Sequence, residues 1–203
     1  SEGSLPGAAA VASKPADIKT ALASPGRVPI AAPGLSGSIN PVGAVIDDLT
    51  TNRHKNTLKP SDGFARIFSP PGTVSNKAIP IQQFAQFGWA GDAATVPNAA
   101  TQWTVPAGAK LTPQTPVTLS WTNPGGQTFA IRYAIDADYM LNVTQTVSNG
   151  AAAPISLQPV AQINRTDKNA DPSTFNVHSG PIGAFDQVVS FDYDYDDVLE
   201  VGT

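Results

Sequence analysis

The stretch VTLSWTNPGGQTFAIRYAIDADYMLNVTQTVSNGAAAPISLQPVAQINR, residues 117–165, decides the fold. Val117, Leu119 and Trp121 recur at every second position, the period of a strand with one buried face. Asn123-Pro124-Gly125-Gly126 follows, joining a fixed φ to a permissive one as a tight turn requires. Phe129, Ile131, Tyr133 and Ile135 resume the period of two among small or polar neighbours, so the pair reads as a hairpin. Asp136-Ala137-Asp138 interrupts the pattern. Tyr139, Leu141, Val143, Gln145 and Val147 then alternate with Asn142, Thr144 and Thr146 until Ser148-Asn149-Gly150. The fourth strand carries Ile155, Leu157, Pro159, Ala161 and Ile163. Pro159 cannot donate to a ladder, so this strand is either a sheet edge or bulged.

Outward from this core the character is the same. Leu35 to Leu49 reads as two short strands joined near Asn40 to Gly43. Further strands are expected around Ala65 to Ser69, Ala85 to Ala90, Thr101 to Thr104 and Val188 to Tyr195. Long connections rich in Pro, Gly and Asn separate them, and no segment sustains a 3.6-residue period. The expected class is all-β, a sandwich with little helix. Residues 1–34 are rich in Ala, Pro, Ser and Gly and hold little large apolar surface, so composition assigns them to a flexible linker and residues 35–203 to one domain. Ala8 to Ala12 and Asp17 to Ala23 are helix-compatible but too short to be stable alone.

Composition excludes several functions. There is no cysteine among the 203 residues, hence no disulfide framework, thiolate metal site or Cys nucleophile. The net charge is −4 and the twelve Lys and Arg are scattered, which argues against nucleic acid as a partner. No window has the apolar length of a membrane span and the N-terminus lacks the order of a signal peptide, so the polypeptide as given reads as soluble.

Six blocks, in order, carry a family resemblance. They are Leu35-Ser36-Gly37-Ser38-Ile39 with Gly43-Ala44-Val45-Ile46-Asp47-Asp48-Leu49; Arg66-Ile67-Phe68-Ser69-Pro70; Phe84-Ala85-Gln86-Phe87-Gly88-Trp89; Leu111 to Leu119; Phe129 to Arg165; and Ser179-Gly180-Pro181-Ile182-Gly183-Ala184-Phe185-Asp186. The chain resembles the large periplasmic domain of the YidC family of bacterial inner-membrane protein insertases. That resemblance implies a β-supersandwich of two large antiparallel sheets, galactose-mutarotase-like in architecture. It also implies placement on the periplasmic side of the inner membrane within a multi-pass parent, and docking to the Sec translocon through its accessory subunits SecDF, with transient contact to nascent membrane-protein substrates. The membrane spans that would carry insertion are not in this sequence. The expected role is a non-catalytic interaction and scaffolding module, with no catalytic, cofactor-binding or metal residue and no cofactor. The alternative that the fold leaves open is a carbohydrate-binding or mutarotase-like protein.

Individual residues favour the non-catalytic reading. Mutarotase-type chemistry pairs a carboxylate base with a His acid. The two glutamates, Glu2 and Glu200, sit at the ends of the chain, although an Asp could replace them, and the histidines are His54 and His178. His178 reads as a loop side chain bonded to backbone, and His54 as an exposed loop residue between Arg53 and Lys55. Asp192, Asp194, Asp196 and Asp197 in FDYDYDD read as the polar face of a strand, where carboxylates stand in a row rather than converging on a cation. Asp136 and Asp138 read as a turn device. Trp89, Trp103 and Trp121 read mainly as core, with one or two able to line a cleft. Asn142-Val143-Thr144 and Asn164-Arg165-Thr166 match the glycosylation sequon, which carries no weight in the bacterial setting implied.

Overall fold

A computed structural model describes residues 15–92, 95–166 and 178–201. The chain divides into two compact units, residues 1–166 and 167–203.

The first unit is an antiparallel sandwich. After a short helix α1 (Ile18–Ala21), capped by the Asp17 carboxylate on Thr20 N–H at 2.8 Å, come β1 (Val28–Ala31), β2 (Leu35–Asn40), β3 (Val45–Lys55), β4 (Phe64–Phe68) and β5 (Gln83–Ala90). β6 (Val117–Thr122), β7 (Gln127–Ile135), β8 (Leu141–Asn149) and β9 (Gln158–Arg165) follow. One sheet runs β1-β2-β3-β5-β9 with β4 also on β3, and the other runs β6-β7-β8. The four strands read from residues 117–165 are therefore present, but the fourth crosses to the larger sheet and pairs with β5, Ala85 opposite Ile163 and Trp89 opposite Pro159.

Register explains the core. Phe129, Ile131, Tyr133 and Ile135 of β7 are all buried and meet Ile46, Leu49 and Trp89 from the facing sheet. The Phe129 ring lies edge-on to Trp89 with centroids 5.1 Å apart. Tyr133 brings a hydroxyl into this interior and donates it to the Ala44 carbonyl at 2.8 Å, so that polar group is satisfied across the sandwich. Burial pushes the Tyr133 phenol well above its usual pKa.

Each turn uses its local chemistry. Asn123 Oδ1 accepts from Gln127 N–H at 3.0 Å and Gly126 adopts φ of 84°, closing the β6–β7 hairpin. The Asp136 carboxylate accepts from Asp138 N–H at 2.8 Å and from Met140 N–H at 3.0 Å, the turn role read from the sequence.

Three expectations about elements differ from what is observed. Residues 28–31, inside the stretch 1–34 assigned by composition to the linker, belong to the sheet: Val28 and Ile30 are buried, as is Ala32 just beyond, and β1 pairs with β2. Averaging over 34 residues hid a short period-two alternation. The expected strand at Thr101 to Thr104 makes only single bridges, Gln102 to Val42 and Thr104 to Ser120. The strand expected from Val188 to Tyr195 is short, ending at Ser190, and a helix begins at Tyr195. Residues 1–14, with the patch at Ala8 to Ala12, lie outside the described residues.

The second unit holds a two-stranded ribbon, β10 (Gly183–Phe185) and β11 (Val188–Ser190), and helix α2 (Tyr195–Val201). Asp194 Oδ1 accepts from the Asp196 and Asp197 N–H groups at 2.7 and 3.0 Å, an N-cap. Local capping thus overrides the alternation of FDYDYDD, and Asp196 and Asp197 fall in the first helical turn, where carboxylates complement the helix dipole.

Candidate interaction surface

The two sheets differ in width, and the difference creates a surface. Antiparallel partners point to the same face, so Pro159 and Ile163 share the inward face of Trp89 and Ala85. Those partners are buried, yet Ile163 is 74% exposed. The cause is that β8, the last strand of the narrower sheet, lies over β5: the Gln145 side chain donates to the Gly88 carbonyl. β9 therefore projects past β8 as a ledge with Pro159, Ala161 and Ile163 on its inner side.

Both strands beside this ledge present unpaired backbone. The Asp136 N–H bonds Met140 O at 3.1 Å and the Gly150 N–H bonds Gly126 O at 3.1 Å, so the even-numbered residues of β8 face β7. Leu141, Val143, Gln145 and Val147 consequently direct their N–H and C=O groups outward. On β9 the frame is set by Gln83, which exchanges both backbone bonds with Ser69, and by Thr166 N–H on Gln82 O. The odd-numbered residues of β9 then point away from β5. Pro159 is one of them, so its missing N–H costs the sheet nothing and removes a donor from the free edge. Among the described residues no strand pairs with the outer side of β8 or β9. Of the two readings of Pro159, the edge strand is the one observed. Proline there and the exposed Asn142, Thr144, Thr146 and Ser148 of β8 are of the kind that keep an open edge from self-association.

The named candidates fall elsewhere. His178 Nε2 lies 3.2 Å from the Pro181 carbonyl, a bond to backbone, and its ring meets Phe191 edge-on. The His54 ring stacks on Tyr139 at 6.1 Å, beside an exposed ion pair of Arg53 with Asp138 at 2.9 Å. His54 is thus brought to Tyr139, and Arg53 to Asp138, at the β7–β8 turn. Trp89 and Trp103 are buried and stacked, with centroids 6.4 Å apart, and Trp121 leans on Phe129 at 5.7 Å. Trp103 also borders a cleft with Gln86, Gly88, Asn98 and Gln162, whose interior volume of about 20 Å³ suits a water molecule rather than a sugar ring. Its indole N–H is buried without a protein partner. No three His, Asp or Glu side chains converge as metal ligands among the described residues.

Sequence reasoning missed one buried charge. Asp47 on β3 is 1% exposed and is paired with Arg27, whose side chain is 9% exposed. Arg27 also donates to Ser38 Oγ at 2.8 Å, and Ser38 Oγ donates in turn to Asp48, which pairs with Arg66 at 2.7 Å. Asp47 Oδ2 has no partner. Desolvation is the largest influence on Asp47 and holds its pKa above the usual carboxylate value, against the opposite pull of Arg27. The signal available in the sequence was an Asp pair interrupting an apolar strand.

Comparison with known proteins gives one consistent result. The family model of the YidC periplasmic domain matches residues 27–202. A membrane protein insertase YidC of Zymomonas mobilis is 37% identical over 172 residues, which is 85% of this chain and 28% of that protein. Those of Rhizobium etli and Rhizobium meliloti are each 41% identical, over 83% and 77% of this chain and 27% and 26% of theirs. The chain thus spans just over a quarter of the length of these relatives.

Proposed function

Because this chain belongs to the YidC family of membrane protein insertases, as its periplasmic domain, we propose that it serves as a non-catalytic interaction and scaffolding module for insertion into the bacterial inner membrane. Its partners in this reading are the Sec accessory subunits SecDF and nascent membrane-protein segments. The observation that supports it is the β8/β9 ledge, where an extended segment could add to the β8 edge through backbone bonds while laying an apolar side chain over Ile163. Such strand addition recognises main chain and tolerates many sequences. No helix among the described residues is long and apolar enough to cross a membrane, so insertion itself would lie in other parts of the parent protein.

The test has two arms. Immobilised chain is expected to retain SecDF from a detergent extract, and to bind an extended apolar peptide with an affinity that Ile163→Lys reduces by about ten-fold, since a charge on the ledge opposes apolar contact. Retention of neither ligand would overturn the reading. The carbohydrate alternative predicts binding on a glycan panel instead.

A further inference from the structure

We propose that the second unit, residues 178–201, presents a docking surface for a cationic, amphipathic polypeptide segment. Ile182, Phe185, Val188, Val189, Phe191 and Tyr193 each leave between 55% and 70% of their surface exposed. Scattered apolar side chains are ordinary on a protein surface, but six within twelve residues are not. Pairing places Phe185 opposite Val188 on one face of the ribbon and Ala184 opposite Val189 on the other, so both faces carry uncovered apolar groups. A two-stranded ribbon three residues long gains little from its own hydrogen bonds, and this one also holds Asp186 at φ of 53°. A partner that buries these side chains would supply the missing stabilisation.

Charge selects the partner. From His178 to Glu200 there are six carboxylates and no Lys or Arg. None of Asp186, Asp192, Asp194 and Asp197 takes part in an ion pair among the described residues. Asp192 accepts from Ser190 Oγ at 2.9 Å, while Asp194 and Asp197 accept backbone N–H groups of the helix start, contacts that fix the carboxylates without neutralising them. An anionic bilayer would be repelled by this surface, and a neutral apolar segment would leave its charge unanswered. A helix or strand with Lys or Arg flanking an apolar face satisfies both features. The surface depends neither on the β8/β9 ledge nor on the family assignment.

The experiment uses the whole 203-residue chain. A synthetic amphipathic Leu/Lys peptide is titrated by fluorescence anisotropy, in parallel with a Leu/Glu peptide of the same pattern and with phosphatidylglycerol vesicles. Saturable binding of the Leu/Lys peptide is expected, weakening as salt rises. Phe185→Ser with Val189→Ser should reduce affinity by about ten-fold or more, and Asp186→Asn with Asp192→Asn by a smaller factor. Leu58→Ser, which removes a fully exposed apolar side chain of the first unit, should leave binding unchanged. The proposal is overturned if the Leu/Glu peptide binds equally well, if the vesicles bind and the Leu/Lys peptide does not, or if both double variants bind like the parent.

Discussion

Arg27→Met isolates what the buried ion pair contributes. Arg27 and Asp47 are almost wholly enclosed, and methionine fills the volume of the arginine stem while leaving Asp47 charged with its Oδ2 already unpartnered. Removing one member of a buried pair costs about 3–5 kcal/mol, because the other charge is left uncompensated. At about 2–4 °C per kcal/mol for a chain of this size, Tm should fall by roughly 8–16 °C for a loss near 4 kcal/mol. Asp47→Asn should behave differently. This substitution leaves the Arg27 guanidinium without its carboxylate, but the amide oxygen and Ser38 Oγ can still accept from it and the charge that burial disfavours is removed, so the cost should be smaller than for Arg27→Met. The pH dependence follows from the same direction. Asp47 has a folded pKa above its reference value of 3.8, so between the two values the folded state binds more protons and stability falls as pH rises. Losing Arg27 raises the folded pKa further. The Arg27→Met deficit should therefore be largest near neutrality and shrink as the pH is lowered and Asp47 takes up a proton. Thermal unfolding followed by circular dichroism at pH 7 and in the acid range reads both effects. Equal losses for Arg27→Met and Asp47→Asn, or a deficit independent of pH, would refute the reasoning.

Tyr133→Phe keeps the ring in the core and strands the Ala44 carbonyl that its hydroxyl reaches at 2.8 Å. A cost of about 2 kcal/mol is expected, seen as a Tm about 4–8 °C lower with an unchanged denaturant slope. Gly34 is fixed by close approach: a Cβ there would lie 2.0 Å from the Asp138 carbonyl oxygen, so Gly34→Ala must displace the β7–β8 turn. It should cost about 1–3 kcal/mol and disturb the His54–Tyr139 stack, readable in the His54 ring resonances. Gly88→Ala meets nothing within 4 Å and should leave Tm unchanged or slightly raised.

How much was legible depended on whether local pattern and tertiary context agreed. Residues 117–165 were readable because β6 and β7 bury alternate positions and each break carries its own turn chemistry, as Asn123, Asp136 and Asn149 show by bonding nearby backbone N–H groups. β1 was not readable because four residues in an Ala/Pro-rich stretch carry too little pattern, and its place in the sheet is set by β2 and by Leu111. In FDYDYDD the period of two competed with an Asp able to cap a helix, and the cap prevailed. The Arg27–Asp47 pair escaped because twenty residues separate its members.

The ledge shows where sequence reading ends for function. Pro159 told that its strand was an edge or bulged, because a missing N–H is a property of one residue. That Ile163 stays exposed on an inward face follows only from how far the wider sheet extends past β8, which depends on β9 leaving its sequence neighbour β8 to pair with β5. A period-two pattern reports which residues share a face and not whether another sheet covers it. Ile163 reads like a core residue in alternation and behaves as a surface residue in the fold, and that disagreement makes the ledge a candidate site. Were a facing strand to cover β9, Ile163 would be as buried as Ala85 beside it, and an extended segment would have no apolar surface to meet there.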